Sequence, residues 1–315
     1  VIGEGGDSEL LFQTSLAPGE KKHFSIMKQP EGMEKPTPET KTFCRYVPER
    51  DDDFAWENDL IAFRMYGPKL FADAVNTGVD CWLKRVKYPI IDKWYGQMKE
   101  KTYHTDWGEG YDPYHVGKTA GCGGLRIVEN GQYLHSNVYD QWKVIENGPI
   151  RSVFELTYDK SWAASGKENL TETKRVTIDL GQRLCRFDCS FDGSDADQIE
   201  TFAVGITTHD GKAKSYHDAV QNLAYCWETI DGSALGTGVV VASPKVKQAK
   251  VIASDKKDES HVYLMADKAS SPTITYYTGY GWERAGEIKT LDDWRTYLEN
   301  FKNRIDNPVE IQYAK

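Results

Sequence analysis

Apolar and polar positions alternate in short runs beyond about residue 150, and the pattern predicts strands over 150–158, 173–180, 184–191, 199–206, 236–242, 261–266, 273–277 and 309–313. In the third of these, Cys185, Phe187, Cys189 and Phe191 point one way while Arg186, Asp188 and Ser190 point the other, the period of a half-buried antiparallel strand. Turn-forming runs separate the strands: Asn147-Gly148-Pro149, Asp192-Gly193-Ser194, Asp210-Gly211 and Asp231-Gly232. Many short strands so punctuated predict a mainly β protein, a large antiparallel sandwich or barrel, rather than alternating β and α units.

One helix interrupts this pattern. Thr290 followed by Asp293 resembles a capping box, and Leu291, Trp294, Leu298, Phe301 and Ile305 then recur at steps of three and four, so this helix near the C-terminal end should lay an apolar face on a sheet. The connection over 207–221 is longer than a usual hairpin loop, which makes it a candidate functional loop. No internal repeat of fixed period is present. Residues 41–126 alternate poorly and instead crowd aromatic and charged side chains together. The organisation that follows is one sandwich domain over 1–315, with site loops supplied mainly by 41–126.

Composition narrows the partners. Of 315 residues, 39% are hydrophobic and 28% charged, with 9 Trp, 18 Tyr and 11 Phe, the make-up of a folded globular chain. The 39 Lys+Arg against 48 Asp+Glu give a net charge of −9, a poor field for neutralising phosphates, and nucleic acid is excluded as the expected partner. No window approaches 18 consecutive apolar residues, so no membrane span is predicted. The chain starts at Val1, without a Met, which fits an exported protein, periplasmic or secreted, whose leader has been removed. Six cysteines are present and none lies in a CxxC pair. Cys185 and Cys189 would sit roughly 13 Å apart along a strand, too far to bond, so buried free thiols are expected.

Two segments could carry chemistry. The first runs from Arg45 through Glu49, Arg50 and Asp53 to Trp56-Glu57-Asn58-Asp59 and on to Arg64. A sugar ring can stack on an indole while carboxylates and amides bind its hydroxyls, although an acidic turn leading into a buried strand would read the same way. The second is Tyr103-His104-Thr105-Asp106-Trp107-Gly108-Glu109-Gly110-Tyr111-Asp112-Pro113-Tyr114-His115, where two His, two Asp, one Glu and three Tyr fall within 13 positions of a glycine-rich loop. His can move a proton near neutral pH and Tyr can act as its partner. The same set could hold a divalent metal, but no spacing matches HExxH or a calcium loop. His209 and His217 lie in the long connection, where His209 could close over a site. Lys84, Arg85 and Lys87 form a basic cluster that could attract an acidic substrate, and His135 and His261 read as structural. The absence of GxGxxG, GxxxxGK[ST] and GxSxG disfavours nucleotide cofactors and a serine-hydrolase elbow.

At these segments the chain resembles the DUF4861 family. The resemblance rests on Tyr46-Val47-Pro48-Glu49-Arg50, Asp53-Phe54-Ala55-Trp56-Glu57-Asn58-Asp59, Ala62-Phe63-Arg64-Met65-Tyr66-Gly67-Pro68, Lys84-Arg85-Val86-Lys87-Tyr88-Pro89, the His104 to Gly117 loop and Asn147-Gly148-Pro149-Ile150-Arg151. It implies a galactose-mutarotase-like β-sandwich from a bacterial polysaccharide-utilisation system. Some relatives are oligosaccharide dehydratases, which remove water from a non-reducing-end uronic acid and leave a 4,5-unsaturated sugar.

That reaction needs positive charge beside the uronate carboxylate, a base at the C5 proton and an acid for the departing 4-hydroxyl. The residues suggest Arg64 or Arg45 at the carboxylate, His104 or His115 as base, Tyr111 or Tyr114 as acid and Trp56 as stacking platform. Glu49, Arg50, Glu57, Asn58, Asp106, Glu109 and His209 would bind or orient an acidic oligosaccharide. Two alternatives remain open: a glycosidase or epimerase using a carboxylate pair such as Glu57 and Glu109, which would need to stand roughly 5–9.5 Å apart, and a non-catalytic carbohydrate-binding sandwich.

Overall fold

The computed structural model describes residues 9–28, 30–34, 38–73 and 78–313. Strands β1 (Phe43–Val47), β2 (Asp53–Glu57), β3 (Ala62–Met65), β4 (Asp80–Lys84) and β5 (Gly110–Tyr111) form an antiparallel sheet in that order. Helix α1 (Ile91–Gln97) follows β4. The remaining strands are β6 (Cys122–Glu129), β7 (Gln132–Leu134), β8 (Gln141–Asn147), β9 (Arg151–Tyr158), β10 (Thr171–Asp179), β11 (Leu184–Asp192), β12 (Thr201–Thr207), β13 (Lys214–Asp218), β14 (Leu223–Ile230), β15 (Ser233–Ser243), β16 (Val246–Ile252), β17 (His261–Asp267) and β18 (Thr273–Trp282). They make an eight-stranded sheet, β13-β14-β15-β18-β11-β10-β9-β8, and a second five-stranded sheet, β16-β17-β12-β6-β7.

The architecture is an antiparallel β-sandwich. The main core draws Trp56 and Phe63 from the first sheet, Phe154, Phe187 and Tyr276 from the large sheet and Phe202 and Leu264 from the third, so the large sheet is packed against both smaller ones. All six cysteines are buried and free, as their placement on apolar faces suggested. Helix α2 (Leu291–Asp306) begins with the expected capping box: Thr290 accepts from the Asp293 N–H while Asp293 accepts from that of Thr290. Trp294 and Leu298 lie against Gly236 and Gly238 of β15, where a Cβ on Gly236 would stand 2.5 Å from the indole. Close approach of helix to sheet therefore requires glycine there.

Two expectations fail. Residues Val309 to Tyr313 alternate but pair with no strand among the described residues, and Val309, Ile311 and Tyr313 are exposed. The connection over 207–221 is not all loop: it contains β13, the outer edge strand of the large sheet.

The first sheet positions the chemistry. Residues of β2, β3 and β4 alternate between faces yet are all buried, because both faces are covered. Phe54, Trp56, Phe63, Met65, Cys81 and Leu83 face the sandwich core. The other face meets α1 and the stretch around Tyr103, with Ala55, Ala62, Trp82, Ile91, Trp94, Tyr95 and Tyr103 packed together. Glu57 fastens α1 there, accepting from the Ile90 and Ile91 N–H groups at 2.8 and 2.9 Å, a carboxylate at the positive end of a helix.

Candidate active site

On the covered outer face, Arg64 is fully buried under the rings of Tyr66, Trp82 and Tyr103. Its Nε and Nη2 donate to Asp80 Oδ2 at 2.9 and 2.5 Å, Nη2 also donates to Asp112 Oδ2 at 2.9 Å, and Nη1 donates to the Tyr103 hydroxyl at 3.2 Å. Asp53 stands 3.8 Å from Nη1 and is held by Arg50, whose Nη1 donates to it at 2.9 Å. Three buried carboxylates thus face the buried guanidinium of Arg64 and the partly exposed one of Arg50, a balance that favours retaining a proton. Burial and then the charge of Asp80 push Asp112 up to about 8, against the pull of Arg64. Burial likewise raises Asp53 to about 6 despite both arginines.

Strand parity carries this layer to the surface. Tyr111 pairs with Leu83 and turns inward, so Asp112 turns outward onto Arg64. Gly110 makes the approach: its φ is +115° and a Cβ would stand 1.9 Å from the Leu83 carbonyl. Over Asp112 sits His104, more than half exposed, its ring against Tyr103. His104 Nδ1 donates to the Asp112 carbonyl at 3.0 Å and lies 3.5 Å from its Oδ2. That bond fixes the tautomer and leaves Nε2 as the acceptor. Tyr103 and Thr105, the neighbours of His104 in the chain, line a pocket of about 90 Å³ together with Lys93, Trp94, Lys101 and Trp107. Trp107 is 56% exposed, and Lys101 lies over its ring with no acidic partner among the described residues. Glu109 in the same pocket accepts from Lys93, Tyr88 and the Trp94 indole, and these partners hold its carboxyl below the usual range against the effect of burial.

A second group gathers on the inner side. The imidazole of His209 has both nitrogens committed, Nδ1 to Glu228 at 2.8 Å and Nε2 to the His115 carbonyl at 2.9 Å. Burial opposes its charge, but Glu228 outweighs burial and raises its pKa. The Tyr114 ring meets His209 edge-on, and its hydroxyl is buried. His115 pairs with Asp258 at 2.9 Å, and Tyr111 donates to Asp231 at 3.1 Å.

The structure therefore splits the set suggested by the sequence. Arg64 and His104 belong to one network and Tyr114, His115 and His209 to the other, while Tyr111 is tied to Asp231, so a single site using Arg64, His115 and either tyrosine does not form. Arg64 cannot meet a substrate carboxylate, because its guanidinium is buried and shared among Asp80, Asp112 and Tyr103. Trp56 is no platform: it has no exposed face, and its indole donates to Cys185 Sγ at 3.3 Å. Glu57 is buried on Lys84 and the start of α1, which removes it from any carboxylate pair with Glu109. Asn58 is equally spent, donating to the Asp179 and Gln182 carbonyls and accepting from Leu60 and Ile61.

The other proposed binders are also engaged. Arg45 pairs with Glu49 and Asp92, and Arg50 with Asp53. Asp106 accepts from Arg85 and from the Gly108 and Gly110 N–H groups, an internal tie of its loop. Within the basic cluster, Lys84 is buried with three acceptors, Glu57, Asn58 and Tyr88. His261 is structural as expected: it accepts from the Ala120 N–H, and burial lowers it to about 4. His135 lies just past the end of β7, and its Nδ1 donates to the Ser136 carbonyl. Among the described residues no group of three or more His, Cys, Asp or Glu is placed to hold a metal ion. What sequence reasoning missed is Trp107 with Lys93, Lys101 and Asp112.

The sandwich resembles parts of larger carbohydrate-processing enzymes. It aligns with the GH36 α-galactosidase AgaB from Geobacillus stearothermophilus (TM-score 0.38, 9% identity, 76% of this chain and 41% of that one) and with the heparinase III that is the BT4657 gene product (TM-score 0.38, 13% identity, 80% and 36%). The chain spans about two fifths of the length of these proteins. At the level of sequence, the model of a domain of unknown function, DUF4861, matches residues 3–311. Uncharacterized protein P7 of Formosa agariphila is 33% identical over 321 residues, covering 98% of this chain and 78% of that protein. The chain belongs to the DUF4861 family.

Proposed function

We propose that this protein is a carbohydrate-active enzyme that removes water from a uronic acid at the end of an oligosaccharide. The observation that carries the reading is His104: its Nδ1 donates to the Asp112 carbonyl, which leaves Nε2 open, and its chain neighbours Tyr103 and Thr105 line the pocket that holds the exposed Trp107 and Lys101, which has no acidic partner among the described residues. The sugar ring stacks on Trp107, and Lys101 neutralises the carboxylate as negative charge grows there. His104 Nε2 takes the C5 proton, the C4–O bond breaks, and the Lys93 ammonium protonates the leaving oxygen to give water and a C4=C5 double bond. At about 90 Å³ the pocket encloses only part of a sugar unit, which suits a chain end.

Incubation with glucuronyl- or iduronyl-terminated oligosaccharides should generate the ultraviolet absorbance of a conjugated enoate. His104→Ala should lower the rate roughly 10²- to 10⁴-fold while leaving circular dichroism unchanged. Silence of the wild type across the uronide panel, or full activity in His104→Ala, would remove the proposal.

A further inference from the structure

Away from this pocket, α2 lies on the outer face of the large sheet, and between it and β13–β14 runs a groove of about 530 Å³. Tyr216 on β13 stacks on Tyr225, its cross-strand partner on β14, with centroids 4.9 Å apart and planes within 13°. Tyr225 is buried, whereas Tyr216 is 38% exposed, so the stack holds an accessible ring in one orientation. His217, Gln221 and Asn303 line the same groove. Among the described residues the Tyr216 hydroxyl, the His217 imidazole and the Gln221 side-chain amide make no hydrogen bond. Unspent donors and acceptors around a fixed aromatic ring match a pyranose, which offers an apolar C–H face and a rim of hydroxyls.

Charge selects among sugars. Asp218, Glu299 and Asp306 line the groove against a single Lys302, and that lysine is paired with Asp306. A uronate would meet net negative charge there, the reverse of the pocket beside His104. We propose that this groove is a second saccharide-binding site, specific for a neutral sugar unit, with Tyr216 as its stacking platform. It rests on the reading that saccharides are this protein's ligands, but not on the dehydration step.

Affinity electrophoresis of the whole chain in gels cast with a soluble galactan, mannan, xylan or β-glucan tests it. Wild type should be retarded in at least one gel. Tyr216→Ala should weaken retardation at least tenfold, and Asn303→Arg, which fills the groove from α2 and leaves the strand pair intact, should do the same at unchanged melting temperature. No retardation of wild type in any of the four gels, or retardation that survives in folded Asn303→Arg, overturns the site. Turnover of short uronate oligosaccharides, measured in parallel, separates the two proposals. Lost retardation with unchanged turnover supports the groove, and retardation that depends on Tyr216 without any turnover leaves the groove standing while removing the dehydratase.

Discussion

The two faces of strands β2, β3 and β4 are equally dry and chemically opposite. Toward the core, Trp56 packs on Phe63 and Phe154. Toward α1, the same strands present Asp53, Arg64 and Asp80, with Arg64 only 2% exposed. Apolar burial stabilises in proportion to area. A buried ion network instead roughly balances desolvation against attraction, so its value here is geometric: it fixes Asp112, and through the Asp112 carbonyl it fixes His104. The contrast shows how a sheet can be a core on one side and a mount for the loop that carries His104 on the other, with the assignment made by strand parity alone.

The largest expected effects come from breaking each face. Arg64→Met strands Asp80 and Asp112 without their cation and should cost about 3–5 kcal/mol, and Trp56→Ala should cost a similar amount, about 3–5 kcal/mol, through the cavity it leaves. The two differ in pH response. The Arg64→Met deficit should shrink between pH 8 and pH 5 as the orphaned carboxyls take up protons, whereas that of Trp56→Ala should not move. Urea unfolding at both pH values measures this, and equal pH dependence in the two variants would erase the distinction between the faces.

A smaller effect follows from the shared proton. Asp112 lies at about 8 and Asp53 at about 6, both above the ordinary carboxylate value of about 3.9. The folded chain therefore keeps protons that the unfolded chain has released, and stability must fall as pH rises through this window. The contribution is full below about pH 4 and is lost progressively up to the folded values of about 6 and about 8. Asp112→Asn, which cannot ionise, should flatten the upper part of the slope; unfolding midpoints of wild type and variant that run parallel from pH 6 to 9 would argue against the shared proton.

The same contrast explains what the sequence could disclose. Strands β10 and β11 were legible because one of their faces meets water, so apolar and polar residues alternate. The capping box at Thr290 and the spacing of Trp294, Leu298 and Phe301 marked α2 in the same way. Strands β2, β3 and β4 were hidden because both faces are buried, and charged residues such as Asp53, Arg64 and Asp80 imitate a loop when the layer covering them comes from elsewhere in the chain. Residues 309–313 show the opposite failure, since alternation without a partner strand makes no sheet. In the candidate site, the loop around His104 was legible from residue types, but its division into two networks was not. That division depends on Tyr111 pairing with Leu83, a contact between residues far apart in the chain that no local pattern encodes.

The smallest effect separates Trp107 from Trp56, the tryptophan whose residue type suggested the stacking platform. Trp107 is 56% exposed, its indole donates to the Thr102 carbonyl at 3.0 Å, and Lys101 lies over its ring. Trp107→Ala should change unfolding free energy by no more than about 0.5 kcal/mol, the usual range for an exposed site, where Trp56→Ala costs several times more. Its effect should appear in binding. Loss of the stacking face removes a contact made with substrate and transition state alike, so KM should rise about tenfold with kcat little changed. Trp107→Phe should recover most of the affinity, because it keeps a stacking face and a ring under Lys101. A Trp107→Ala variant with unaltered KM but lowered stability would place this ring with Trp56, as packing, and would move the sugar platform out of the pocket beside His104.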